Sequence, residues 1–131
     1  MQTQNTGTRL QVRRQTWITR DDLRANRDLI YVFGDNVERN GRRGLAREMR
    51  GEPNAHSISV SWGPFEPFTI DSAAAAKSHI DDDLQALVER EAAWIIWPMA
   101  GIVPEFLTIP DDIYQHLQRQ TRHLLNARHP V

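Results

Sequence analysis

The chain has 131 residues, of which 40% are hydrophobic and 25% are charged, and its 16 basic and 17 acidic residues give a formal net charge of -1. This composition predicts one soluble globular domain, and the charge balance argues against nucleic acid as a partner. The absence of cysteine excludes a disulfide scaffold, thiol catalysis and cysteine-ligated zinc. Since no segment resembles a signal peptide or a membrane span, we expect a cytoplasmic protein without membrane contact.

The first part of the chain predicts a tail and two short elements. Residues 1–11 are polar and are expected to form a flexible N-terminal tail, which leaves residues 12–131 for a single α/β domain. Residues 16–19, Thr-Trp-Ile-Thr, favour a short edge strand. Thr19 then precedes two acidic residues and predicts the N-cap of a helix that ends near Asn26.

The stretch Ile30–Arg50 predicts a strand, a glycine-bearing loop and a helix. Its first four residues form an apolar run typical of a strand buried on both faces, and Gly-Asp-Asn follows directly. A helix is expected from Gly44 to Arg50, and Pro53 prevents its continuation. Loop amides and a helix N-terminus beyond the end of a strand stabilise an anionic ligand, so this stretch predicts an anion site.

The later elements alternate in type. Residues 55–62 predict a half-buried strand, residues 71–90 a helix, residues 93–98 a second central strand, and Asp111 the start of a final helix. This alternation predicts a three-layer α/β/α sandwich. If the strands ending at Phe33 and Pro98 are parallel neighbours, the loops that follow them lie at the same edge of the sheet.

Asp35 and Asn36 are the strongest candidates for a site. At the end of a central strand they could hydrogen-bond ribose hydroxyls, or hold a water molecule for attack at an anomeric carbon. The alternative is that both side chains cap the loop by bonding to its backbone. Gly41 and Gly44 could cradle phosphate, yet their spacing is not that of a dinucleotide fingerprint. The alternative is that these glycines only allow the turn geometry.

Other charged and aromatic residues have two interpretations each. The arginines between Arg39 and Arg50 suit phosphate contacts, or form a solvated helix face. His56 could lie near the same edge or, as is more common for a lone histidine, have a structural role. His116 and His123 are seven residues apart, and we predict no metal site. Residues 81–83, three aspartates, favour a solvated helix face over an acidic partner surface. The tryptophans are mainly candidates for the core, although Trp62 could stack on a base; they are Trp17, Trp62, Trp94 and Trp97.

Two segments carry a resemblance. VFGDNVERNGRRGLAREMRGEPNA, residues 32–55, and WPMAGI, residues 97–102, resemble a family of small, mostly phage and bacterial proteins of poorly defined function. That family is in turn similar to macro domains, which bind ADP-ribose on an α/β/α sandwich. The resemblance implies a compact macro-like domain with Asp35 and Asn36 in catalysis. The leading hypothesis places ligand contacts at Gly34, Gly41, Gly44, Arg50, Asn54 and Gly101, and Arg43 or Arg50 would add positive charge to the site.

The chain also departs from the family pattern. Arg43 stands in place of a glycine, residues 57–61 replace Gly-Ile-Pro-Thr-Lys, and Val103, Pro104 and Glu105 replace Gly-Thr-Gly. Each change adds bulk or removes flexibility, and Pro104 has no amide to offer a diphosphate while Glu105 adds a like charge. We therefore expect a ligand chemistry that is altered or lost.

Two functions follow from these observations. The first is a macro-like domain that binds ADP-ribose or a related nucleotide without a cofactor; if it is an enzyme, hydrolysis of an ADP-ribosyl bond is the expected reaction. The second is a non-enzymatic phage or mobile-element protein that acts in the bacterial host cytoplasm. It would inhibit a host defence factor, such as a CRISPR effector, through protein contacts. A structural homodimer is a third interpretation.

Overall fold

A computed structural model describes residues 11–127, with side chains as far as residue 123. Most of the predicted tail lies outside the described residues, and Gln11 already belongs to the first strand. The elements in chain order are β1 (Gln11–Gln15), α1 (Arg20–Ala25), β2 (Ile30–Asn36), α2 (Leu45–Met49), β3 (Ala55–Gly63), β4 (Glu66–Pro67), a 3-10 turn (Ile70–Ser72), α3 (Ala73–Glu89), β5 (Trp94–Pro98) and α4 (Asp111–Ala127). Within residues 11–127, no helix has the length and apolarity needed to cross a membrane.

The five strands form one sheet in the order β1-β5-β2-β3-β4. The first four strands of this order are parallel, and the two-residue β4 pairs antiparallel with the end of β3. β2 and β5 are neighbours, with Ile30 opposite Ile95. The prediction that the loops after these two strands lie at one edge of the sheet is therefore confirmed; we call this edge, where the parallel strands end, the carboxyl edge.

The helices cover both faces of the sheet, as predicted for a three-layer sandwich. Alternate residues of β2 point to opposite faces. Val32 packs in a core with Ile80 of α3 and Ile113 of α4, whereas Phe33 packs on the other face with Met49 of α2. Each amphipathic helix buries its apolar side against the sheet, and this burial of apolar area is the main stabilising term of the fold.

The predicted edge strand at residues 16–19 was wrong in position. The edge strand is β1, which occupies the outer side of β5 from Gln11 opposite Trp94 to Gln15 opposite Pro98. Residues 11–15 form the strand because they pair with β5, although residues 16–19 have the higher strand propensity. These residues lead to Thr19, whose predicted role as N-cap of α1 is confirmed by a capping box with Asp22.

The three aspartates at residues 81–83 were predicted to form a solvated face, and this was wrong for Asp83. Its carboxylate accepts hydrogen bonds from the Ser59 backbone N–H at 2.7 Å and from the Ser59 hydroxyl at 2.6 Å. Ser59 is consequently buried, so β3 is buried more fully than the predicted half-buried strand. Asp81 accepts a hydrogen bond from His116 of α4 at 2.8 Å. Helix α3 therefore satisfies polar groups of both β3 and α4.

His56 lies at the start of β3, which excludes the alternative that it lies near the carboxyl edge and leaves the structural role. Its Nε2 is 2.8 Å from the Asp83 carbonyl oxygen, and its Nδ1 faces Arg90 at 3.3 Å. Burial lowers the pKa of His56, which favours the neutral ring.

The prediction that the tryptophans belong to the core holds for Trp97, which is buried. It was wrong for Trp17, which is 85% exposed.

Glu52 joins the segment after α2 to helix α1. Its carboxylate is 2.6 Å from Arg20, 3.2 Å from Arg24 and 2.7 Å from Arg27. The hydrogen bonds from Arg20 and then Arg27 lower the pKa of Glu52 from 4.5 to about 2. The ionised form of Glu52 is therefore part of the folded state.

Because its pKa is lower in the folded protein, Glu52 stabilises the fold fully above pH 4.5 and loses this contribution as the pH falls towards 2. We expect the free energy of unfolding, measured by urea denaturation at a series of pH values, to decline across this interval. Glu52→Gln should lower stability at pH 7 and flatten the decline, whereas Glu66→Gln, at an exposed position, should change neither. An unchanged pH profile for Glu52→Gln would contradict this assignment.

Candidate functional site

A cavity of about 310 Å³ opens at the carboxyl edge of the sheet, between the ends of β2 and β5. We call it the β2–β5 cavity. Its walls come from the loop after β2, the loop after β5 and Pro64 in the turn after β3. The volume falls at the lower end of the range that is usual for pockets that bind small molecules.

The cavity results from the way the chain leaves the two strands. β2 leads into α2 on one face of the sheet, while β5 leads into α4 on the opposite face. Because the two connections diverge, a crevice remains outside the carboxyl ends of the strands. Such a switch point is where open α/β sheets generally bind their ligands.

Gly34 allows the loop after β5 to lie directly on β2. A Cβ atom at this position would be 1.7 Å from the carbonyl oxygen of Ile102, so no larger residue fits without a shift of the backbone. Ile102 in turn packs into the core beside Val60. A glycine is thus required at position 34 because the backbone of Ile102 approaches it closely, and this contact shapes the floor of the cavity.

Asp35 lies beside the cavity but is held by the protein itself. Its side chain is 1% exposed and forms a bidentate pair with Arg50, with distances of 2.6 and 3.0 Å between nitrogen and oxygen. The carboxylate also accepts hydrogen bonds from the Asn36 backbone N–H at 2.8 Å and the Ser57 hydroxyl at 2.9 Å. This geometry favours the alternative interpretation, in which Asp35 organises the loop.

Arg50 and Asn36 extend the same network into the loop after β2. Arg50 donates to the carbonyl oxygens of Gly41 at 2.9 Å and Asn40 at 3.0 Å. The Asn36 side chain donates to the Asn40 carbonyl at 2.8 Å and accepts from the Asn40 amide at 3.3 Å. Most donors of these two cavity-lining side chains are therefore engaged within the protein.

The glycines of the two loops also line the cavity, at Gly41, Gly44 and Gly101. Gly44 has φ 56° and ψ -136°, a backbone conformation that residues with a side chain rarely adopt. It precedes α2, which has only five residues, so the helix dipole that we predicted there is small. Among the described residues, the backbone amides from Gly41 to Gly44 donate to no protein acceptor. They are free to donate to water or to a ligand.

Arg43 is exposed and lines the cavity at a side that we call its mouth, and its guanidinium lies against two aromatic rings. Its guanidinium carbon is 4.2 Å from the ring centre of Phe106 and 5.4 Å from that of Phe65. Both rings are largely exposed, at 57% and 81%. Sequence reasoning missed Phe65 and Phe106, because isolated aromatic residues in proline-rich loops show no periodicity. Their apolar character within otherwise polar or proline-rich turns is the signal that could have found them.

The structure brings together eight of the nine predicted site residues around the β2–β5 cavity, and Asn54 is the exception. Asn54 is buried beneath α1, where its amide donates to the carbonyl oxygens of Leu23, Asn26 and Leu29 at 3.0 to 3.1 Å. Its side chain holds the exit from α1 and does not reach the cavity. Contact of the other eight residues with a ligand stays a prediction.

Fold and cavity together define a small α/β sandwich with a ligand-sized cavity at the ends of its parallel strands. The chain belongs to a family of unknown function, DUF7831, whose model matches residues 13–119. The matched region contains every residue that lines the β2–β5 cavity. Comparisons with curated proteins and with solved structures give no match. The resemblance to macro domains stays a prediction.

Replacing Asp35 tests the role of its ion pair. Asp35→Asn leaves Arg50 without its counter-ion, and removal of one partner of a buried pair costs about 3 kcal/mol or more. We expect a loss of this size in the free energy of unfolding from urea denaturation. Asp82→Asn, at an exposed position of α3, is the matched control and should have no effect. A loss below about 1 kcal/mol, the usual limit for an exposed pair, would show that the loop does not depend on this pair.

Proposed function

We propose that the protein is a macro-like domain that binds ADP-ribose or a related nucleotide in the β2–β5 cavity. The observation that carries the proposal is the position of the cavity at the switch point between β2 and β5, where nucleotides bind in open α/β sheets. Residues 32–55 resemble a family of small phage and bacterial proteins that is in turn similar to macro domains, and this resemblance supports a site at the same edge.

The groups around the cavity suit a nucleotide. Apolar side chains such as Val60 and Leu107 form much of its wall and can hold a base. The free amides of residues 41–44 and the guanidinium of Arg43 can hold phosphate. The loop after β5 contributes less to phosphate binding, because Pro104 has no amide proton and Glu105 is negatively charged.

We propose binding without hydrolysis of the ADP-ribosyl bond. A general base must be able to accept a proton from the attacking water. The Asp35 carboxylate already accepts four hydrogen bonds, two of them from Arg50, and its side chain is 1% exposed. Its engagement supports a role in holding the loop.

A second candidate function is inhibition of a host defence factor by a phage or mobile-element protein through protein contacts. It is favoured by exposed apolar side chains on loops at the carboxyl edge, namely Trp17, Phe65, Met99 and Phe106. These side chains lie on three loops, which follow β1, β3 and β5. Aromatic residues around an arginine are typical of the energetic centre of protein interfaces.

Blocking the cavity tests nucleotide binding. Ala100 is exposed and lines the cavity, so Ala100→Trp should fill the cavity and weaken ADP-ribose binding at least about tenfold by isothermal titration calorimetry. Ala74→Trp, at an exposed position of α3, adds the same side chain away from the cavity and should bind like the wild type. If the folded wild-type protein gives no heat and no thermal shift with millimolar ADP-ribose, the proposal fails.

The second candidate is tested at Trp17, which is exposed at the carboxyl edge but does not line the cavity. If the protein acts through a partner, Trp17→Ser should reduce capture of a stoichiometric partner from bacterial host lysate while ADP-ribose binding stays unchanged. Ile70→Ser removes another exposed apolar side chain, located in the 3-10 turn, and should have no effect. Equal capture by wild type and Trp17→Ser would count against an interface at this edge.

A further inference from the structure

Most polar side chains within the β2–β5 cavity are already bonded to other parts of the protein. Asp35 and Arg50 pair with each other, Asn36 bonds to Asn40 in both directions, and the Ser61 hydroxyl donates to the Gly63 carbonyl at 3.0 Å. Much of the remaining wall is apolar. A phosphate placed deep in this space would lose its water without gaining a free cation, which is unfavourable.

Arg50 is not available to hold that phosphate. Its guanidinium makes four hydrogen bonds, two to Asp35 and one each to Asn40 and Gly41. Turning it towards a ligand would leave the Asp35 carboxylate buried without its counter-ion. The cation that binds an anionic group must therefore come from another residue.

Arg43 is the cavity-lining cation that is not held in this way. It belongs to no ion pair and makes no hydrogen bond among the residues that the structure describes. Phe106 and Phe65 hold its guanidinium carbon within cation–π distance of both rings at the mouth. Its N–H groups remain free to form the bidentate bonds that arginine makes with phosphate.

We infer that a nucleotide enters this cavity base first, with the base against the apolar wall and the phosphate at the mouth on Arg43. This inference rests on the proposed function and specifies the orientation of the ligand. It makes a nucleoside monophosphate the smallest complete ligand, because base and phosphate together use both parts of the site. Arg43 is then the residue that selects an anionic ligand over a neutral one.

The test compares AMP, adenosine and ADP-ribose on the wild type and on Arg43→Gln, with affinities from calorimetry and from NMR shifts for weak ligands. The wild type should bind AMP at least about tenfold more tightly than adenosine, since a charge-assisted pair of hydrogen bonds is lost with the phosphate. Arg43→Gln should abolish this difference by weakening AMP alone. Arg43→Lys keeps the charge and should restore part of it.

Arg47→Gln is the matched control, because Arg47 is an exposed arginine of α2 that does not line the cavity. This variant should keep the preference of the wild type for AMP. Equal binding of adenosine and AMP by the wild type would overturn the inference, and so would an Arg43→Gln variant that binds both ligands more weakly by the same factor.

Two further outcomes separate the inference from the proposed function. If ADP-ribose binds and AMP does not, the proposed function stands and the base-first orientation is wrong. If the folded wild-type protein binds none of the three ligands, the proposed function fails and the inference fails with it.

Discussion

Asp35 and Arg50 form a buried ion pair that connects the end of β2, the loop after it and the end of α2. The same guanidinium bonds the carbonyl oxygens of Asn40 and Gly41, so the path of the loop depends on a charge located beneath it. A buried charge is tolerated only when its partner is in place. The position of the β2–β5 cavity wall is thus coupled to the integrity of this pair.

The segment that follows continues this pattern of internal contacts. Glu52 binds three arginines of α1 and the turn after it, and Asn54 bonds three carbonyl oxygens around the same turn. The segment Met-Arg-Gly-Glu-Pro-Asn-Ala, residues 49–55, is part of the resemblance. Its polar side chains mainly connect secondary-structure elements to one another. Groups available to a ligand are found instead in the neighbouring residues 41–44.

This division of polar groups gives the cavity its chemical character. Side chains in its interior stabilise the loops and are already bonded, whereas Arg43 at the mouth contacts Phe65 and Phe106 and has no acidic partner among the described residues. Under the proposed function, a ligand would meet few free polar groups inside the cavity, and the guanidinium of Arg43 would bind its anionic group at the mouth. Under the proposed function, Arg43, which replaces a glycine of the family pattern, supplies the cation for the ligand.

The sequence by itself determined the elements whose signals are local. The apolar runs of β2 and β5, the N-cap Thr19 and the acidic start of α4 at Asp111 all predict their elements correctly, because burial and capping depend on nearby residues. The α/β/α arrangement and the shared edge of the two loops followed from the order of these elements.

Only the tertiary structure decided which distant groups meet. β1 lies at residues 11–15 because β5 is available to pair with it. The Asp83 carboxylate accepts the Ser59 backbone N–H because β4 pairs with β3 only at Ser61 and Gly63. Arg43 meets Phe65 and Phe106 across loops that are 22 and 63 residues away in the chain, respectively. Local sequence patterns predict which residues of an element are buried. Contacts between residues that are distant in the chain depend on the topology, because the topology brings the strand ends together.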